Sequence, residues 1–361
     1  MSSLKKTVSL LTEPRQAAWV LLLFAAACTP PPRWIAVGGG ENSQILLLNP
    51  DLTVADTVSL PATEFSNTGP HSVQVGRDGM SLYVADLGGP GIGRISRIRR
   101  LDGQLLDSWN PPQGAIVQLT ALPDSPTLVV TASAASDTGP GSIYLLRTDL
   151  LTEESRFEPC IGVPHGFAIL QEIGRAYTRC DDPGVLVVDI DLAQQRIVRT
   201  VTLDSGEGPE GVTHCGPGGI ALSRTGGILL ASCSQSGQLL YLDRLTLEVL
   251  DSALIGTGAS QIAVSPRGSR ALVAIPDSNA VAIADLRHRS VSARIQLPDR
   301  PVDIVVTGDG KSGYVLTTGH PATVVWLDLR RNLIQDTRAV PAGSTSLSVW
   351  PGKRSPSMKW R

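Results

Sequence analysis

A thirteen-residue pattern recurs along this chain and limits what it can fold into. It reads VQVGRDGMSLYVA from Val73, LTALPDSPTLVVT from Leu119, FAILQEIGRAYTR from Phe167, IALSRTGGILLAS from Ile220, IAVSPRGSRALVA from Ile262 and IVVTGDGKSGYVL from Ile304. Each copy is an apolar run, a short polar turn that usually carries Gly, and a second run rich in Val, Leu and Tyr. Two strands and a tight turn account for the pattern, because Gly supplies the positive φ that closes a hairpin. A period of this size means a repeat architecture.

A second pair of strands follows most copies, as in VLVVDIDLAQQRIVRTVTL from Val185, QLLYLDRLTLEVLDSALI from Gln238, AVAIADLRHRSVSARIQL from Ala280 and TVVWLDLRRNLIQDTRAV from Thr323. Four strands per unit is the blade of a β-propeller. The copies start 42 to 53 residues apart. One more step lands near Ser346, where STSLSV (Ser344 to Val349) reads as a strand with no partner after it. Trp34 to Val37, Ile45 to Leu48 and Thr53 to Leu60 read as second, third and fourth strands with no first strand before them. The expected fold is therefore all-β: a seven-bladed β-propeller whose ring is closed by a C-terminal strand joining three N-terminal strands. Closure removes the exposed edges of an open array; six or eight blades are the alternatives. The propeller is expected over residues 34–349, with 350–361 as a frayed tail.

The alternation of short strands and turns resembles the YVTN-type repeat family of bacterial propellers, with Ile262 to Ala274 the nearest copy of its IAVSPDG and YVA consensus. The resemblance implies a fold and little about activity, since propellers host many functions.

Residues 1–27 have the layout of a secretory signal: Lys5, Lys6 and Arg15 precede an apolar run from Ala17 to Ala27. Its end, AAAC, resembles the lipobox of bacterial lipoproteins, which implies a diacylglyceryl thioether on Cys28; an ordinary secreted protein with a stray thiol at Cys28 is the alternative. Residues 28–33 then form a short tether of polyproline character. The resemblance implies a membrane partner through the lipid, at the cell envelope. Thr29 after the Cys points to the outer membrane and periplasm if the source is Gram-negative. Because the chain enters through the second strand of the closing blade, the face with the first-to-second hairpins should lie toward the bilayer. The face with the fourth-to-first crossovers should look outward.

The formal charge of −2 becomes about −4 once the signal is removed, so nothing in the balance suggests nucleic acid. Cysteines are more specific. Cys160 precedes the first strand of one unit and Cys180 closes its second; Cys215 and Cys233 hold the same relation in the next. In an oxidising compartment the expected disulfides are Cys160–Cys180 and Cys215–Cys233, the one pairing of three that respects the blades. Each loop would contribute roughly 3 kcal/mol. Buried free thiols are the alternative, and no CxxC spacing suggests zinc.

His71 in GPHSVQV and His165 in VPHGFAI stand at equivalent places, while His214 lies in a long crossover and His320 in a second-to-third loop. They form a candidate ligand rim on the outward face. The alternative is that Pro-His caps a strand entrance by bonding to the neighbouring blade. Pro70 to Gly89 also resembles the seven-bladed lactonase family, which includes 6-phosphogluconolactonase-like proteins. That resemblance implies candidate catalytic roles for His71 and Asp86, with a divalent metal only under that reading. The glycine runs Gly38 to Gly40 and Gly88 to Gly93 open no helix and so offer no phosphate cradle. Acidic residues expected in second-to-third loops (Glu41, Asp86, Asp137, Asp181, Asp182 and Asp277) match no calcium-loop spacing. Two functions follow: a lipid-anchored propeller that binds a protein, glycan or small molecule and needs no cofactor, and alternatively a lactonase-like hydrolase at the channel mouth.

Overall fold

The computed structural model describes residues 34–350, apart from 40–42, 62–69, 87–92, 123–124, 135–138, 183–185, 204–214 and 224–226. The described chain is all-β. Its strands are β1 (Ile35–Gly39), β2 (Gln44–Leu48), β3 (Val54–Ser59), β4 (Pro70–Val75), β5 (Ser81–Asp86), β6 (Arg94–Arg99) and β7 (Leu105–Trp109). Then come β8 (Ile116–Ala121), β9 (Thr127–Ala132), β10 (Pro140–Arg147), β11 (Glu153–Leu170), β12 (Arg175–Asp182), β13 (Leu186–Asp191) and β14 (Arg196–Thr202). The third stretch holds β15 (Ile220–Ser223), β16 (Ile228–Ser232), β17 (Gln238–Asp243), β18 (Val249–Leu254), β19 (Ile262–Val264), β20 (Arg270–Ile275), β21 (Ala280–Asp285) and β22 (Ser290–Gln296). It ends with β23 (Pro301–Val306), β24 (Ser312–Thr317), β25 (Ala322–Asp328), β26 (Leu333–Val340) and β27 (Ser344–Val349).

Five four-stranded antiparallel sheets and one seven-stranded sheet result among the described residues. In the sheet β27-β1-β2-β3 the C-terminal strand pairs with the N-terminal one, Ile35 opposite Val349 and Val37 opposite Leu347. This is the strand exchange expected from the two incomplete ends of the repeat. The seven-stranded sheet β8 to β14 holds two four-stranded units that share β11. A crossover loop was expected before Phe167, but β11 runs on without one. Its first half pairs with β10 and its second with β12, with register shifts between Ile161 and Pro164 and between His165 and Phe167. Gly162 and Gly166, both at positive φ, let the strand kink there rather than turn. Cys160 is therefore a strand residue.

Second strands such as β5, β16 and β20 read as continuous apolar runs because sheets cover them on both faces. Fourth strands such as β18 and β22 are mostly exposed; β22 carries Ser290, Ser292, Arg294 and Gln296 along its edge, whereas β18 exposes Val249, Leu250 and Leu254 beside Asp251 and Ser252. The core is divided into clusters, most of which join adjacent sheets and one of which lies within the seven-stranded sheet, from β9 to β13. One binds β1 and β2 to β4 and β5, and another binds β1 and β2 to β24, β25 and β27. First strands touch in succession, β27 to β4, β4 to β8, β8 to β11, β11 to β15, β15 to β19, β19 to β23 and β23 to β27.

One turn recurs between third and fourth strands. The Asp243 carboxylate accepts the Leu245 and Thr246 N–H groups, and Asp191, Asp285 and Asp328 do the same for the two amides after their own turns. Four residues past each Asp, Leu247, Gln195, Arg289 and Asn332 take positive φ and rejoin the ladder at a bulge. Tyrosines of second strands then tie one sheet to the next. Tyr83 donates to the Thr148 carbonyl, Tyr177 to Arg244 and Tyr314 to Pro50, the last linking β24 to the turn after β2. Arg270 donates to the Leu329 carbonyl in the corresponding way.

Trp350, expected in the tail, is packed into the fold. Trp350 is 5% exposed, stacks on Trp34 with ring centroids 5.0 Å apart and donates its indole N–H to the Arg77 carbonyl. Gly39 serves close approach: a Cβ there would lie 2.5 Å from the Thr345 nitrogen. Beyond the pairing with β1, β27 is held by its own side chains. Ser346 Oγ accepts the Val73 N–H at 3.2 Å and Ser348 Oγ accepts the Val75 N–H at 3.0 Å, both buried. Replacing either serine by alanine orphans a buried donor. Ser346→Ala and Ser348→Ala should each lower stability by about 1–3 kcal/mol, read as a fall in urea midpoint at unchanged slope.

Candidate functional site

The first strands surround a cavity of about 1100 Å³. Residues of both faces of the first strands border it, Leu119, Ile262 and Ile304 among those that open a repeat copy, and in every copy the residue before the opening one borders it as well. Ser72, Gln118, Gly166, Gly219, Gln261 and Asp303 occupy that place, and all six line the cavity. Loops add Ser234, Gln235 and Asp277, and β27 contributes Thr345 and Ser346.

His71 and His165, expected at equivalent positions, line this one cavity. His71 bonds to the backbone of Val117 in the neighbouring sheet, the strand-capping arrangement. Burial holds its imidazole below the ordinary 6.5, and the Val117 bond offsets this in part. His320 is exposed in the turn between β24 and β25 and does not line the cavity. His214, Cys28, Glu41 and Asp137 lie outside the described residues. Asp86, 3% exposed, ends β5 opposite Pro70 and is not part of the cavity wall, so His71 and Asp86 do not meet there. Among the described residues no group of three or more His, Cys, Asp or Glu side chains could hold a metal ion.

Both expected disulfides are formed, Cys160–Cys180 with Cα atoms 5.4 Å apart and Cys215–Cys233 at 4.4 Å. Their place explains their use. Cys215 leads into Pro217, Gly218 and Gly219, and Cys233 into Ser234 and Gln235, so the second bridge pins two wall segments of the cavity together. Arg179, wholly buried beside Cys180, reaches the same corner and donates to the Ser232 and Gly216 carbonyls, with Cys215 Sγ 3.5 Å away. The two disulfides fit an oxidising, extracytoplasmic setting.

Asp303 was not singled out by motif, yet it is the carboxylate set most deeply in the wall. Its oxygens accept the Ile304 N–H at 2.8 Å and, across to β27, the Leu347 N–H at 2.7 Å. Burial pushes its acid up to about 6, more than those two bonds draw it down. The signal for it in the sequence was positional, the residue before a repeat start.

No protein-family model matches this chain, and no curated protein matches it in sequence. Solved structures do. Apo AztD from Citrobacter koseri superposes with a TM-score of 0.58 at 11% identity, covering 88% of this chain and 97% of that one. A functionally unknown protein from Desulfotomaculum acetoxidans gives 0.55 at 17%, covering 68% and 77%. The fold is shared. At these identities the likeness concerns fold alone, and together with the four-stranded sheets it fits a β-propeller.

Asp303 and His71 give the site opposite pH responses. Asp303 has a folded pKa above its ordinary 3.8, so its contribution to stability grows as pH falls through about 6. His71 has a folded pKa below 6.5, so protonation favours the unfolded chain and stability is lost as pH falls in the same region. Between pH 7 and pH 5 the Asp303 contribution is about 1 kcal/mol. Urea unfolding at the two pH values should show Asp303→Asn losing stability on acidification relative to wild type, and His71→Gln gaining it.

Proposed function

We propose that this chain is an exported, lipid-anchored seven-bladed propeller, its ring sealed by β27, that binds a ligand in its central channel as a binding or scaffold module of the cell envelope. The observation that carries the reading is the cavity: one space of about 1100 Å³ bordered by residues of six first strands and by Pro217, Gly218 and Gly219, which lead into β15. A closed ring of seven is supported by the succession of first-strand contacts that returns from β23 through β27 to β4, and by the Tyr314 bond to the Pro50 carbonyl. The shared strand β11 makes the seven-stranded sheet two blades.

Binding is favoured over hydrolysis by what the wall presents. His71 spends a ring bond on the Val117 backbone, Asp303 is engaged by two amides, and Asp86 stands away from the cavity. A hydrolytic site needs a base free to take a proton from water, near a group that stabilises the oxyanion. Export and anchoring rest on the signal layout of residues 1–27 and on Cys28, with the two disulfides in agreement. On this reading the cavity mouth flanked by Ser234, Gln235 and Asp277 looks away from the bilayer.

Cells fed labelled palmitate should incorporate it into the wild-type protein and not into Cys28→Ala, which should leave the membrane fraction; an unlabelled wild type would remove the anchor from the proposal. Sugar and aliphatic lactones, with or without divalent metal, should not be hydrolysed. Turnover that disappears in His71→Ala would replace the binding reading with the lactonase one.

A further inference from the structure

The chemistry of the wall says what kind of ligand it takes. Gln118, from β8, and Gln261, just before β19, project half-buried carboxamides into the cavity, and among the described residues neither amide has a hydrogen-bond partner. Gln74, from β4, accepts from the Ser348 hydroxyl at 3.5 Å and has no other side-chain hydrogen bond among the described residues. Each carboxamide offers two donors and an acceptor with two lone pairs. Half-buried amides left without protein partners are costly to keep dry, so they face water or a ligand that replaces it.

Charge is nearly absent from this wall. The Asp303 carboxylate is engaged by the Ile304 and Leu347 amides. Asp277 and Arg300, of opposite sign, are exposed. An anionic ligand would be expected to meet a cluster of guanidinium or ammonium groups, and a cationic one a set of free carboxylates or aromatic faces. No Lys, Phe, Tyr or Trp side chain lines the cavity among the described residues; its rings are the imidazoles of His71 and His165. A flat aromatic ligand would find no large aromatic face to stack on.

Gln118 and Gln261 also line a second cavity of about 300 Å³, together with Thr120, Gln171, Phe167 and Leu222. The two carboxamides therefore stand in the wall common to both spaces. The larger space is at the upper end of the roughly 300–1,000 Å³ typical of small-ligand pockets.

We infer that the channel takes a neutral polyhydroxylated ligand, an oligosaccharide of a few units, whose hydroxyl groups are read by the carboxamides of Gln74, Gln118 and Gln261. The inference rests on the reading of the cavity as the ligand site. Vicinal hydroxyls present a donor and an acceptor side by side, the complement of a carboxamide edge, and the Ser and Thr hydroxyls around them extend the same neutral surface.

The test uses the full chain carrying Cys28→Ser and isothermal titration with neutral trisaccharides (maltotriose, cellotriose, N-acetylchitotriose) beside charged trimers of the same size (trigalacturonate and the trimer of glucosamine). At least one neutral trimer should bind, and Gln118→Leu and Gln261→Leu should each weaken it about tenfold. Their thermal midpoints should stay near that of the parent, because the lost amides have no protein partner to forfeit; a large drop would mean the amides serve the fold and would overturn the assignment. Binding of charged trimers alone, weakened by the same variants, would overturn the ligand class and leave the cavity as the binding site. Binding of neither set would overturn both.

Discussion

The rest of the molecule depends on the seating of one strand. β27 pairs with β1 through its backbone, receives Asp303 from β23 on the Leu347 amide, and caps the Val73 and Val75 amides of β4 with Ser346 and Ser348. First strands in neighbouring sheets do not pair in a ladder, so their inward N–H groups need other acceptors. Side-chain oxygens supply them at this seam. Without β27, β1 would present an open edge and two core clusters would lose a wall.

Elsewhere the same problem is met by repetition. Tyr83, Tyr177, Tyr314 and Arg270 each send one donor to a carbonyl in the next sheet's outer turn. Two of those turns, after Asp243 and after Asp328, are shaped by an aspartate that binds the amides two and three residues on, so the acceptor is held where the donor from Tyr177 or Arg270 arrives. Cys160–Cys180 ties β11 to β12, Cys215–Cys233 ties the entrance of β15 to the exit of β16, and the buried Arg179 beside Cys180 bonds to that second corner.

This division of labour leaves the channel free for binding. Its walls are set by backbones fixed from behind, and its lining includes Gln118 and Gln261, whose side chains have no hydrogen-bond partner among the described residues. Substitutions at those two can change chemistry at little cost to folding. Asp303 departs from that separation, since it lies in the wall and fastens β27 as well. His71 behaves similarly: it faces the cavity while its ring holds the neighbouring strand.

Period, strand pairs and the deficits at the two ends were legible in the sequence, because hydrophobic alternation and glycine turns are local and recur in every copy. The strand exchange at Ser344–Val349 and both disulfides followed from them, since pairing within a repeat fixes which cysteines are neighbours. The continuity of β11 was not legible, because a kink at Gly162 and Gly166 and a turn at the same residues look alike in sequence. Trp350 was read as tail because its composition is that of a loop, and only the Trp34 face across the molecule makes it core. Histidines drew the eye as chemistry, yet the position before each repeat start also lines the cavity, and there stand Ser72, Gln118, Gly166, Gly219, Gln261 and Asp303. Each copy determined which side of its strand faces inward. Which of those inward residues share one cavity, and which are consumed by bonds to a neighbouring sheet, is decided only when sheets far apart in sequence are brought side by side.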